Sequence, residues 1–433
     1  MISKKKVPVF NFWEPLCASC QLIVELESDS AVNSFAQYLK NTVYALRLRK
    51  NGDYLERHDD FNKIPSFTFP QQINDSFESF EDISHYVYFK VPFNFEDSCG
   101  LLVTSTKNSQ RKYVALSIPH FFSDGKYYVY LIDHFLNKKG ENSLKGLPDF
   151  PNFFFEKYGA LFSKGPTNIK DCIHDDKLTR FSTNDKANLR NTDYDEYQTI
   201  HYKLSDLKNK FLRNNVYSVS NYTELLYMSN YFAICAHENK LLKSYGINNI
   251  VDLRQFSKKP STFANLFEIS NISPFTDGIT ADMTVSEVGR NLRKSLIEKI
   301  ENNEQFSNSR EYNRKLPQLK GIYTEFTNIG AFHIKKPIKD LFVALCIKSN
   351  NRETVSNMGF SVVRDDFDSY TYDERLNKSQ NDMVIRYRYS PMKLSFNESK
   401  KIVKCIEYFM KNISFDDKIG KAYDEIRRFY NSI

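Results

Sequence analysis

The segment that most limits how this chain can fold runs from Cys99 to Phe135. CGLLVTSTKNSQRKYVALSIPH (Cys99–His120) places two apolar runs about a polar turn, Lys107 to Arg111, and reads as a β-hairpin. The second run ends on His120. An Asp-Gly pair, Asp124 and Gly125, follows, and beyond it Tyr128, Leu131, Ile132 and Phe135 recur at helical spacing. The chain must therefore leave a strand, turn sharply and enter a helix within a few residues, with a histidine at the strand's mouth. Gly125 is expected to give the backbone freedom for that exit.

This arrangement has a chemical reading. An imidazole titrates near neutral pH and, held in one orientation, can take a proton from a hydroxyl or amine as that group attacks a carbonyl. The turn can hold His120 only if something holds the turn. Asp124 is the residue for that task, and a carboxylate taken out of water needs a cation or several donors. Taken alone, H-x-x-x-D-G also fits a plain strand, turn and helix with a structural histidine, so the rest of the chain must decide.

At 433 residues the chain exceeds one ordinary core, and hydrophobic residues at 41% with aromatic residues at 15% supply large surfaces to bury. The net charge of +7 is modest and dispersed, which argues against a nucleic-acid binder. Lys4, Lys5 and Lys6 read as a solvated terminus. Seven cysteines, scattered and without a leader segment ahead of them, point to free thiols in a reducing compartment. Cys17 and Cys20 form one C-x-x-C without a second ligand pair, so no metal site is expected. No apolar run reaches the ~18 residues of a membrane span.

The pattern divides the chain into residues 1–175, a polar crossover at 176–195, and residues 196–433. In the first part CQLIVELE (Cys20–Glu27) reads as a strand, Asp29–Leu46 as a helix, and HYVYFKVPF (His85–Phe93) as a strand. In the second, Tyr197–Ser205 reads as a strand, Asp206–Asn215 and Asn221–Lys240 as helices, and Asn248–Phe256 as a short strand ending in Arg254. A charged helix, Val285–Asn302, precedes strands at Tyr323–Gly330, Leu341–Ser349 and Asp382–Ser390. The helix Ser395–Ile413 opens on a capping box of Ser395 and Glu398.

SIPHFFSDG, between its hairpin strand and its helix, resembles the active-site segment of the CoA-dependent acyltransferase superfamily. NNIVDLRQF is similar to that superfamily's V-N-L-R segment, YTEFTNIGAFHIKKPIKDLFVAL to its S-N-x-G segment and following strand, and DMVIRYRYSPMKLSFNESKKIVKCIEYF to its closing strand and helix. The four segments stand in the family's order over nearly the whole chain. Within the superfamily the chain most resembles the fungal alcohol acetyltransferases, with their relatives that acetylate sphingoid amines.

The resemblance implies an α/β (α+β) fold of two chloramphenicol-acetyltransferase-like mixed-sheet domains facing each other across a central tunnel. It makes His120 the general base and Asp124 the partner of Arg254, a contact between the two halves. An oxyanion needs a donor, and Thr324, Thr327 and Asn328 are the candidates; alternation along a strand leaves open which of them faces the tunnel. Lys335, Lys336 and Lys339 are either CoA-phosphate contacts or ordinary exposed loop lysines. The resemblance implies acetyl-CoA or another acyl-CoA as co-substrate with no permanently bound cofactor, and a small-molecule acceptor. It further implies a cytoplasmic monomer, with peripheral contact at the endoplasmic reticulum or lipid droplets. A C-terminal stripe of Ile419, Tyr423, Ile426, Phe429 and Tyr430 would make that contact or else pack on the protein itself. Two departures matter. The plant branch's D-F-G-W-G segment is replaced by KDLFVAL, and Pro119 stands where peptide-condensation domains carry an additional histidine. The expected activity is O-acetyl transfer to a small or lipophilic alcohol, with N-acetyl transfer to a sphingoid-type amine and a catalytically idle binding module as alternatives.

Overall fold

A computed structural model of the protein describes residues 7–8, 18–52, 54–57, 64–94, 96–137, 177–214, 216–256, 269–306, 320–347 and 353–433. Two mixed sheets organise it. The principal strands are β1 (Ala18–Leu26), β2 (Ser66–Thr68), β3 (Leu101–Thr104), β4 (Lys112–Pro119), β5 (Glu196–Lys203), β6 (Asn248–Asp252), β7 (Ile269–Ile272), β8 (Ile322–Ile334), β9 (Ile338–Ile347), β10 (Thr354–Arg364) and β11 (Asn381–Tyr389). The first sheet has the order β9-β1-β4-β3-β2, and the second the order β7-β6-β8-β10-β11-β5. A further short strand, Arg180–Phe181, pairs with the start of β8. The main helices are α1 (Asp29–Thr42), α2 (Phe80–Phe89), α3 (Gly125–Asn137), α4 (Tyr222–His237), α5 (Val285–Glu301), α6 (Phe396–Asn412) and α7 (Ile419–Ser432).

The expected hairpin is present, with β3 antiparallel to β4. β1 is buried along nearly its whole length, which explains why its sequence is apolar without alternation. The two halves are stitched together. β8 belongs to the second sheet, yet after the turn at Lys335–Pro337 the chain enters β9, which pairs with β1 at the edge of the first.

Two expected elements have another form, one strand is additional, and one helix is shorter than expected. His85–Phe93 is not a strand: α2 starts from a capping box of Ser79 and Asp82 and buries Ile83 and Val87, one helical turn apart. Its alternating tyrosines imitate strand periodicity. Asp206–Asn215 is not a helix. Lys210–Arg213 pairs with Val216–Val219 in a hairpin whose first strand is exposed throughout, so a helix there would have had nothing to bury, and Asn214 turns the chain at φ 49°. The central strand β10 was unforeseen, because TVSNMGFSVVR mixes polar residues into a buried strand. Asn357 pairs with Asn230 of α4, and a Cβ at Gly359 would lie 2.6 Å from the Tyr222 hydroxyl, so these polar and small residues serve helix packing. The helix from Asp29 also stops at Thr42 and continues as a tighter turn, Tyr44–Arg47.

The C-terminal stripe faces inward. Ile419, Ala422, Tyr423 and Ile426 of α7 are buried against α4 and α6, and Phe429 stacks on Tyr408 at 4.4 Å. Of the two roles open to that stripe, packing on the protein is the one observed. Among the described residues no helix is long and apolar enough to cross a membrane.

Candidate active site

His120 opens a single tight turn, His120–Phe122, at the end of β4 and is half-buried. Its Nδ1 lies 2.8 Å from the Ser123 carbonyl oxygen and 3.2 Å from Cys20 Sγ on β1. A carbonyl can only accept, so Nδ1 carries a proton, and in the neutral ring Nε2 carries the lone pair. The turn thus fixes both the tautomer and the ring. Cys20 does not form a thiolate pair with the histidine. Burial, with Asp124 nearby, pushes its thiol well above the ordinary range.

Asp124 does two structural jobs. Its Oδ1 accepts the Tyr127 N–H at 2.9 Å, which caps the start of α3, and its Oδ2 accepts from Arg254 at 2.9 Å. The two side chains are 2% and 4% exposed, so this ion pair is nearly dry and joins the two halves. Arg254 also donates to Asp252 at 3.0 Å and lies 5.9 Å from the Tyr130 ring centroid. Asp252 titrates above the ordinary carboxylate range because burial outweighs the neighbouring arginine. Tyr128 donates to the Cys20 carbonyl at 2.8 Å, tying α3 to β1 beside the histidine.

Gly125 is needed for a reason other than the expected one. Its φ is not positive; instead, a Cβ there would lie 2.5 Å from the Ile329 side chain on β8. The glycine lets α3 approach that strand closely. At the point of contact β8 is bulged between Asn328 and Gly330, and Gly330 takes φ 99°.

Alternation ahead of the bulge separates the two threonines among the oxyanion candidates, and the bulge itself engages Asn328. Thr327 is paired with Met358, and Gly330 with Phe360, on the face of β10 that packs into the first core. Thr327 therefore faces the first half. Thr324, paired with Val355, points to the opposite side and is 2% exposed, among the helices of the second half. Asn328 is exposed, and its Oδ1 accepts the Gly330 N–H at 2.9 Å, bracing the bulge.

The lysines lie elsewhere. Lys335, Lys336 and Lys339 surround the β8–β9 turn, roughly 25 Å from Thr327 at ~3.3 Å per strand residue. Lys336 pairs with Glu27 at 3.6 Å, Lys339 with Glu374 at 3.0 Å, and Lys335 reaches Asn137 at 3.5 Å. Cys17 lies outside the described residues, and Cys20 is a buried free thiol.

Sequence reading missed Ser123, Cys20 and Asp252 as parts of this site. Ser123 acts through its carbonyl, which no side-chain pattern reveals. Cys20 reaches His120 because it stands opposite Ile118 across β1 and β4, a register invisible before folding.

No protein-family model and no curated protein matches the sequence. Solved structures do match over nearly the whole chain. Polyketide synthase associated protein 5 from Mycobacterium tuberculosis superposes with TM-score 0.60 at 11% identity, over 94% of this chain and 98% of its own. The epimerization domain from the third module of tyrocidine synthetase B gives TM-score 0.59 at 9% identity, over 96% and 93%. A variant of the starter condensation domain of rhizomide synthetase RzmA, in complex with C8-CoA, gives TM-score 0.58 at 10% identity, over 94% and 92%. The chain therefore has the two-domain, mixed-sheet fold of these proteins.

Proposed function

We propose that this protein is an acyl-CoA-dependent acyltransferase with His120 as its general base. The observation that carries this reading is the histidine itself: an imidazole whose Nδ1 proton is held by the Ser123 carbonyl, on a turn locked by a buried Asp124–Arg254 pair between the halves. The fold supports it, since one of the proteins sharing that fold was solved with an acyl-CoA bound.

In the proposed reaction the acceptor's hydroxyl or amine gives its proton to His120 Nε2 as its lone pair attacks the thioester carbonyl. The oxyanion of the tetrahedral adduct needs a donor, and of the three candidates Thr327 has the placement that suits the role. Collapse of the adduct breaks the carbon–sulfur bond. The CoA thiolate then takes the proton back from the imidazolium, leaving an ester or amide and free CoA. No covalent enzyme intermediate is required, in keeping with the protonated Cys20.

We take the acetyl group as the acyl unit and an alcohol as the first acceptor class, with a sphingoid-type amine as the second. Thiol release from acetyl-CoA by the purified protein, over a panel of alcohols and long-chain amines, tests this directly. Acceptor-dependent release that falls at least ~100-fold in His120→Ala is the expected result, general-base contributions being of that order. Equal release by the variant removes His120 from the mechanism. CoA binding without any release would favour the idle binding module.

A further inference from the structure

Arg386 is the buried cation that the site described so far does not use. It stands on β11 beside Met358 of β10, which in turn pairs with Thr327 of β8. Directly paired residues share a face, so Arg386 and Thr327 lie on the same side of the second sheet, about 10 Å apart at ~4.8 Å per strand. That side faces the first half.

The other deeply buried arginines of this sheet and its margin each hold a carboxylate. Arg254 holds Asp124 and Asp252, Arg364 holds Asp340 and Asp382, and Arg388 holds Asp195. Arg386 holds none among the described residues. It is 5% exposed, and its Nε and Nη1 are buried without a hydrogen-bond acceptor. What it has instead is two aromatic rings, Tyr197 at 4.1 Å and Phe342 at 5.4 Å from the guanidinium carbon. Rings attract the flat faces of a guanidinium, whereas its N–H bonds lie in its plane and are not satisfied by a ring above or below. Tyr197 is itself fixed, since its hydroxyl accepts the Ile347 N–H at 2.7 Å.

A guanidinium cannot escape burial by losing its proton. An unpaired one in the interior is costly, and an anion placed in its plane relieves that cost. We propose that Arg386 is a carboxylate-binding site: one substrate, either the acceptor or the acyl chain, carries a carboxylate that meets its free N–H groups. The two rings hold the guanidinium in place, and the row shared with Thr327 sets the anion within a substrate's length of the reacting carbonyl. This deepens the acyltransferase reading and rests on it for the identity of the ligand as a substrate.

Two measurements on the full chain test the proposal. The first is thermal unfolding of wild type, Arg386→Met and Arg386→Lys in the presence of butyrate, succinate, inorganic phosphate, or the uncharged amides butyramide and succinamide. Carboxylates, and not amides, are expected to raise the wild-type midpoint, with no such rise in Arg386→Met. Arg386→Lys keeps the charge but lacks the planar fork, so a reduced rise is expected and the comparison stands even if the Met variant does not fold. The second is thiol release with paired substrates: succinyl-CoA against butyryl-CoA, and hydroxy acids against their methyl esters. One of these pairs should favour the acid by on the order of 10- to 100-fold in kcat/KM, the worth of one charged hydrogen bond, and Arg386→Lys should lose most of that preference. The first pair answering assigns the carboxylate to the acyl chain, and the second to the acceptor. Carboxylate-specific stabilisation with no thiol release from any pair would sink the acyltransferase reading and leave the anion site standing. No difference between acids and amides in the wild type, a rise equal in wild type and Arg386→Met, or a response to phosphate alone would overturn the proposal.

Discussion

A neutral imidazole has one proton for two ring nitrogens, so whatever holds the proton on one makes the other a base. Here the Ser123 carbonyl accepts the Nδ1 proton of His120, and Asp124, next in the chain, ties down the turn that carries that carbonyl. Asp124 is the residue on which this depends most. Its loss leaves Arg254 buried with Asp252 as remaining partner, and breaking a buried pair costs about 3–5 kcal/mol, with the retained Asp252 contact favouring the lower end. Asp124→Asn should lose the ion pair yet keep an oxygen for the Tyr127 N–H, whereas Asp124→Ala should lose both. Urea denaturation should therefore rank Ala below Asn by about 1 kcal/mol, the worth of a helix cap. Equal stability of the two variants would show that the cap contributes nothing. Gly125 gives a second residue-scale prediction. Gly125→Ala drives a Cβ into Ile329 and should cost about 1–3 kcal/mol, as overpacking does, and Ile329→Ala should recover part of that cost in a double-mutant cycle. Additive losses would place the strain elsewhere.

At the scale of elements, what could be read in advance was what local pattern dictates. The hairpin before His120, helices α4, α5 and α6, and the Asp124–Arg254 contact all follow from periodicity, capping or the resemblance of short segments. The errors differ in cause: in α2 alternating tyrosines mask a local capping box, whereas β10 takes its form from partners distant in sequence. α2 has a distant partner as well, because Glu81 meets His201 of β5 at 3.2 Å across the two halves. Burial would raise the Glu81 carboxyl, but the hydrogen bond and charge of His201 overcome it and hold it down to about 2, while His201 is raised chiefly by its bond to Glu81. The signs set the window. Glu81's contribution is present above its unfolded value of ~4.3 and is lost as pH falls toward 2; that of His201 is present below ~6.5 and is lost as pH rises through its folded value. The pair should thus support α2 most fully between about pH 4.5 and 6.5. Because His201 is 57% exposed, solvent screening limits the effect to about 0.2–1 kcal/mol. Stability measured from pH 6 to 9 should fall slightly more in wild type than in His201→Gln, and parallel curves would remove the pair from the account.

For the whole molecule, the division into 1–175, 176–195 and 196–433 marks where the pattern changes, but the cores do not respect it. The core around β1 and β4 includes Phe332, Ile334, Leu341, Phe342, Val343 and Ala344 from β8 and β9, and Met358, Phe360 and Val384 from β10 and β11. These residues come from the far half of the chain. Without them β1 has an open edge along its whole length where β9 should pair, and its apolar side chains lose their cover. Residues 1–175 expressed alone should accordingly fail to form a cooperative structure and should aggregate through that edge. Co-expression with residues 176–433 should restore a soluble complex, because the missing strand and the missing apolar face arrive together. The intact chain should then unfold in one transition, with backbone amides of β1 and β10 exchanging at the same, slowest rate, since neither sheet can open without stripping the other. A folded, exchange-protected 1–175 fragment would show instead that the shared core is an accessory to two independent units. In that case the Asp124–Arg254 pair, rather than the exchanged strand, would be what aligns the two halves about His120.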